Sequence, residues 1–188
     1  MRRRVPGRSV RDVRRYRFET TWLLDAPVEA CWAVLADPAL SWPSWWPGLA
    51  GDVVELGPAA RDHVGSRARL RYRSPFGFTL RIELALVAAR PPVAATFAVR
   101  GDLVGRGTVD LAPADARPGG RCDKDPGPVG TRVVVGWDVA TTRGWMNALG
   151  PVASPAFAWS HAHVMRRGGA GLAVRLRSRP DAGQPCSS

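Results

Sequence analysis

A chain of 188 residues that is 45% apolar and 23% charged can bury one sizeable core, which excludes a disordered or fibrous protein and points to a single globular domain. No run approaches the roughly 18 apolar residues that span a bilayer, and the basic start MRRRVPGRSVRDVRRYR lacks the apolar stretch of a secretory signal, so a cytoplasmic location is expected. The net charge of +11 is concentrated at one end: residues 1–17 carry eight arginines against Asp12, a local +7.

That concentration bears on nucleic acid. Residues 1–16 read as a disordered, solvated arm, with contact to phosphate or acidic lipid as the rival reading. Lys124 is the only lysine, and arginine in such excess, beside abundant alanine, glycine and proline, reads as the codon usage of a GC-rich bacterial genome. The three cysteines (Cys31, Cys122, Cys186) are odd in number and widely spaced, so they make neither a disulfide framework nor a metal pair.

In chain order, RFETTWLLD (17–25) alternates Phe18, Thr20, Trp22 and Leu24 against polar residues, which predicts a strand. Asp25 is a plausible N-cap for a helix over VEACWAVLAD, in which Val28, Cys31, Trp32 and Leu35 recur at helical spacing until Asp37-Pro38. SWPSWWPGL (41–49) is too interrupted by proline for a long helix and predicts a short helical turn. VGSRARLRYRS puts Val64, Ser66, Ala68, Leu70 and Tyr72 on one face and four arginines on the other, a strand with one face on the core. FTLRIELALVAA repeats the pattern with Phe78, Leu80, Ile82, Leu84 and Leu86 inward. VAATFAVRG and DLVGRGTVDLA supply two more strands, residues 112–130 read as a loop, and TRVVVGWDVATT is a further strand.

After Pro151 and Pro155 the period changes. AFAWSHAHVMRRGGAGLAVRLRSR predicts a long helix with Phe157, His161, Val164, Gly168 and Leu172 in one stripe. Gly168, Gly169 and Gly171 are poor helix formers, so the helix either bends there or is approached closely by another backbone. Strands grouped apart from helices indicate an α+β fold, in which a helix across a curved antiparallel sheet can enclose an apolar cavity. The organisation expected is an arm (1–16), one ligand-binding domain (17–178) and a disordered tail (179–188).

APVEACWAVLAD (26–37), the WPSWWPG corner (42–48), RGDLVGRG (100–107) and SHAHVMRRGGAGL (160–172) together resemble the helix-grip superfamily of START-type and birch-pollen-allergen-like domains. They are most similar to its polyketide cyclase/dehydrase and lipid-transport branch. The resemblance implies a curved antiparallel sheet wrapped around a long C-terminal helix, with two short helices after the first strand and a hydrophobic pocket between sheet and helix. It implies no single reaction, since the fold hosts carriers and enzymes alike.

On this reading the pocket wall is expected from three sources. The strands supply Tyr72, Phe78, Leu80, Ile82, Leu84 and Phe97, then Leu103, Trp137 and Val139. The C-terminal helix supplies Phe157, His161, Val164 and Met165. The corner supplies Trp45 and Trp46, while Trp42 is read as corner packing. Residues 38–60 contain no Lys or Arg, so the tryptophan cluster is not a stacking platform for nucleic acid.

His161 is the first candidate for chemistry: either it finds a hydrogen-bond partner and is structural, or it faces the cavity and binds a carbonyl or hydroxyl, or acts as an acid/base. Asp102 is the second, its ordinary role being turn chemistry after Gly101 and its functional one a buried carboxylate paired with His161 or an arginine. His163 lies about 200° round the helix from His161 and cannot share its face. No metal spacing, cofactor motif or phosphate loop is present; GDLVGRG runs into a strand. The expected partner is therefore a hydrophobic polyketide, lipid or isoprenoid, bound by a monomer or homodimer. The rivals are a cyclase/dehydratase using the same pocket, and an interaction module working through the arginine arm.

Overall fold

The computed structural model describes residues 15–74, 77–114, 130–143 and 150–178. Strand β1 (Arg15–Leu24) leads into α1 (Val28–Leu35) and the single-turn α2 (Trp42–Trp45). Six strands follow: β2 (Leu49–Glu55), β3 (Arg67–Arg73), β4 (Thr79–Arg90), β5 (Ala94–Gly101), β6 (Leu103–Ala114) and β7 (Gly130–Thr141). The last element is α3 (Gly150–Arg177). All seven strands join in one antiparallel sheet of order β1-β7-β6-β5-β4-β3-β2, and α3 packs against β1, α1 and α2. This is the α+β architecture expected: a sheet with one long C-terminal helix and two short helices behind the first strand.

Four details differ from the sequence reading. Strand β1 begins at Arg15, so Tyr16 belongs to the sheet and continues the alternation of Phe18, Thr20, Trp22 and Leu24. Asp25 does not cap α1; Pro27 occupies the N-cap in an extended conformation with no side-chain cap bond. The Ala26 carbonyl instead accepts from Thr131 Oγ1 at 2.6 Å, tying this turn to β7. Strand β2 was not foreseen, because an edge strand largely exposed on both faces shows no apolar alternation. Helix α3 begins at Gly150 and runs through Pro155, earlier than the prolines suggested. The arginine arm before Arg15, most of the predicted 112–130 loop and the tail after Ser178 lie outside the described residues.

Two groups of buried side chains fill the space under the sheet. One gathers Trp22, Leu24, Cys31, Val34, Trp45 and Leu172 around α1, α2 and the C-terminal half of α3. The other gathers Tyr16, Leu70, Leu84, Val99 and Val139 toward the opposite end of the strands. Half-buried Trp42 and Trp137 pack against both groups.

The tryptophan corner and the helix glycines explain one another. A Cβ at Gly168 would run into the Trp46 ring, and one at Gly171 into the Trp45 backbone carbonyl. At Gly169 it would stand 2.7 Å from Cδ1 of Trp22. The helix is therefore approached closely rather than bent away, and Trp46 Nε1 donates to the Val164 carbonyl at 3.1 Å to hold α2 against it.

Candidate functional site

Toward the N-terminal half of α3 the side chains lengthen and the interior opens. A cavity of about 170 Å³ lies there between sheet and helix. Its floor is built by period two: Leu70 and Tyr72 on β3, then Leu80, Ile82 and Leu84 on β4, with Phe78 just before that strand. Leu103 on β6 and Trp137 and Val139 on β7 continue it, and Tyr16 and Phe18 on β1 close the far side. The roof is one face of α3: Phe157, Ser160, His161, Val164 and Met165. Trp42, Trp46 and Leu49 from the corner complete the wall.

Of the residues expected at the pocket, two lie elsewhere. Trp45 is buried in the packed corner, stacked on Trp46 at 5.6 Å. Phe97 does not line this cavity but a second one of about 330 Å³, farther toward α1 and the β4–β5 turn. Phe97 on β5 falls under the α1–α2 connection, in the cavity that Leu40 and Trp42 also line. Six lining residues were not foreseen: Tyr16, Phe18, Trp42, Leu49, Leu70 and Ser160. Tyr16 was legible in the β1 alternation, Leu70 in its spacing from Tyr72, and Ser160 and His161 sit side by side on the helix. Nothing in the local pattern distinguishes Trp42 from its neighbours.

The polar atoms are the chemically informative part. His161 Nε2, Tyr16 Oη and Trp137 Nε1 are each enclosed and have no hydrogen-bond partner among the described residues, and all three residues line this one cavity. Trp22 and Trp45 have unpartnered Nε1 atoms too, but in the packed corner. The His161 ring stacks on Phe18 at 4.4 Å, Tyr16 stacks on Phe18 at 5.9 Å, and Phe157 meets Tyr16 edge-on at 6.0 Å, so an aromatic shelf fixes both polar rings. Burial lowers the His161 pKa to about 4, so the imidazole is neutral at pH 7, one ring nitrogen a donor and the other an acceptor. Burial raises the Tyr72 phenol, partly offset by the nearby Arg167. Ser160 Oγ lies 3.5 Å from Ser74 Oγ at the rim.

Asp102 is not part of this arrangement. Its Oδ2 accepts from Arg143 Nη2 at 2.6 Å and from the Arg81 amide at 2.7 Å. Gly101, at φ +106, makes the tight turn that presents it, and a Cβ there would meet the Arg81 carbonyl at 2.6 Å. Arg143 also donates to the Thr79 carbonyl at 3.0 Å, and the hydrogen bond from Arg143 holds the Asp102 carboxyl below its ordinary range. Asp102 thus pins the β5–β6 turn to β4 and to the segment after β7, and its pairing is with arginine, not His161. His163 faces away, stacked on Trp159 at 5.3 Å. Among the described residues no group of three His, Cys, Asp or Glu could hold a metal, and no helix is long and apolar enough to cross a membrane.

No protein-family model matches the sequence, and no curated protein matches it. Solved structures do match in fold. The Zhui aromatase/cyclase from Streptomyces sp. R1128 superposes with a TM-score of 0.65 at 17% identity, covering 91% of this chain and 100% of that one. A START superfamily protein from Mycobacterium smegmatis superposes with a TM-score of 0.63 at 15% identity, covering 86% of this chain and 97% of that one. The di-domain ARO/CYC BexL from the BE-7585A biosynthetic pathway gives 0.61 at 18% identity over 88% of this chain and 51% of its own. At these identities the likeness is one of fold: the chain has the helix-grip architecture that START-type and aromatase/cyclase proteins share.

Proposed function

We propose that the protein binds a hydrophobic small molecule carrying at least one carbonyl or hydroxyl group in the cavity between sheet and α3, the ligand being of polyketide, lipid or isoprenoid type. The observation that carries this reading is a cavity walled mainly by apolar side chains whose lining residues include His161, Tyr16 and Trp137, each with an enclosed polar atom that has no hydrogen-bond partner among the described residues. A buried donor or acceptor left unmade costs about 1–3 kcal/mol, a cost a suitably oxygenated ligand removes on binding. Apolar burial at roughly 25 cal/mol per Å² adds affinity. The test is to purify the protein from its native host, denature it and search the organic extract by mass spectrometry. A stoichiometric oxygenated hydrophobe supports the reading; an empty extract together with no saturable binding of 4-methylphenol would discard it.

The second reading is a cyclase/dehydratase. It is favoured by two structural neighbours, an aromatase/cyclase and a di-domain ARO/CYC, and by the position of His161. In it, Tyr16 and Trp137 would hold a ketone oxygen by hydrogen bonds while His161 takes a proton from the adjacent carbon and returns one to a departing hydroxyl. A base with a pKa near 4 is poorly matched to proton abstraction at pH 7, which ranks binding ahead of turnover. Loss of turnover of a poly-β-ketone in His161→Ala, with the fold intact, is the result expected of an enzyme.

A further inference from the structure

The two cavities share a floor. Along β3 the inward positions Ser66 and Ala68 line the second cavity while Leu70 and Tyr72 line the first. Along β4 Leu86 lines the second, Ile82 and Leu80 the first, and Leu84 both. Among the described residues only Trp42 and Leu84 line both cavities. The two cavities thus adjoin under the sheet, with one indole and one leucine facing both.

The indole is fixed there. Trp42 Nε1 donates to the Leu35 carbonyl at 2.9 Å, and its ring meets Phe97 edge-on at 6.4 Å on the side of the second cavity and Trp46 at 6.4 Å on the other. The volumes show why this matters. An apolar cavity of about 150 Å³ holds a benzene molecule, so the first cavity, at about 170 Å³, accommodates little more than one ring. The second, at about 330 Å³, would accept a further ring or several methylenes.

We infer that Trp42, with Leu84, is the specificity-determining wall that sets ligand length: the wild-type cavity selects compact ligands of about one ring, and removing the wall admits longer ones into the second cavity. The inference rests on the reading of the first cavity as the ligand site and specifies its size class. It also assigns the second cavity as the space a chain extending from that ring would enter, apolar within (Trp32, Leu35, Leu86, Val109) and rimmed by Asp62, His63 and Arg67.

The experiment is calorimetric titration of the full chain with a graded series of 4-n-alkylphenols, from phenol to 4-n-octylphenol, whose hydroxyl suits the polar atoms and whose chain measures length. Each buried methylene should raise affinity about fourfold while space lasts. Wild type should climb over the first few carbons and then level off or fall. Because Trp42 packs on both core groups, Trp42→Phe is used instead of Trp42→Ala, and Leu84→Ala opens the same wall from the sheet. Both variants, checked for native near-ultraviolet circular dichroism, should extend the climb by about three methylenes. A wild type that climbs without a break, or a break left in place by both variants, would overturn the role of the wall while leaving the ligand site standing. Absence of binding of every phenol to the wild type would overturn the ligand-site reading, and the inference with it.

Discussion

The two halves of α3 face the same kind of interior and treat it oppositely. The C-terminal half presents Gly168, Gly169 and Gly171, and tryptophans close on it until no added Cβ would fit. The N-terminal half presents Phe157, His161, Val164 and Met165, which hold the sheet at side-chain distance and leave a cavity. One helix therefore acts as a wedge, clamped where its residues are small and standing off where they are large. Packing density of the native kind at one end makes affordable a void, and orphaned polar atoms, at the other.

The sharpest way to break this contrast is to add one methyl group at the clamped end. Gly171→Ala should destabilise the protein by about 3 kcal/mol in urea unfolding, since the new Cβ meets the Trp45 carbonyl, against a helix-propensity gain of about 1 kcal/mol. An unchanged or higher midpoint would show the clamp to be loose.

Next is the pH response of the open end. The His161 pKa is about 4 in the folded chain against an ordinary value of 6.5, so between these values the unfolded chain binds the extra proton. The contribution of His161 is therefore fully present above about pH 6.5 and is lost as the pH falls toward 4, by about 3 kcal/mol. His161→Phe should flatten that interval and, at pH 7, leave stability equal or slightly raised, because an unpartnered buried nitrogen is gone. Identical pH profiles for the two proteins would contradict the burial argument. The Asp102 carboxyl, held low by Arg143, loses its contribution only in the more acid range, so the two windows separate.

How much of this was legible in the sequence follows the same division. The strands and α3 announced themselves because one face of each is buried and the other wet, which is what alternation and helical spacing record. The three glycines predicted either a bend or a close approach by another backbone; the approach is what is found, made by the Trp45 backbone and also by two tryptophan rings. Strand β2 left no trace, being largely exposed on both faces, and Asp25 looked like a cap although Pro27, two residues on, takes that position. The cavity floor was readable from period two; Tyr16 was missed because arginines surround it and gave it the look of the arm. Trp45 and Phe97 were misplaced, and Trp42, read as corner packing, also lines the cavity, for a common reason: which cavity a ring enters depends on how sheet and helices are placed, which no local pattern carries.

Two smaller effects sharpen the comparison. Asp102→Ala should cost about 1.5 kcal/mol by freeing the β5–β6 turn from β4 and Arg143, with hydrogen exchange rising there and not around Trp45. Uniform exchange changes would mean that the two ends are not separable. Val164→Phe fills the cavity from the roof and should alter stability by less than about 1 kcal/mol while weakening 4-methylphenol binding at least tenfold. A variant that binds as well as wild type would place the ligand elsewhere.

The pairing of β1 with β7 has a consequence for synthesis. Leu24 meets Thr131 and Arg15 meets Ala140, so the strand carrying Tyr16 and Phe18 leaves the ribosome more than a hundred residues before β7, its one neighbour among the described strands. At translation rates of about 5–20 residues per second that interval is on the order of 5–20 s, during which Tyr16, Phe18 and Trp22 have no sheet to join. The cavity between sheet and α3 can be completed only after β7 and α3 have been made, and of the described strands β1 waits longest for its partner.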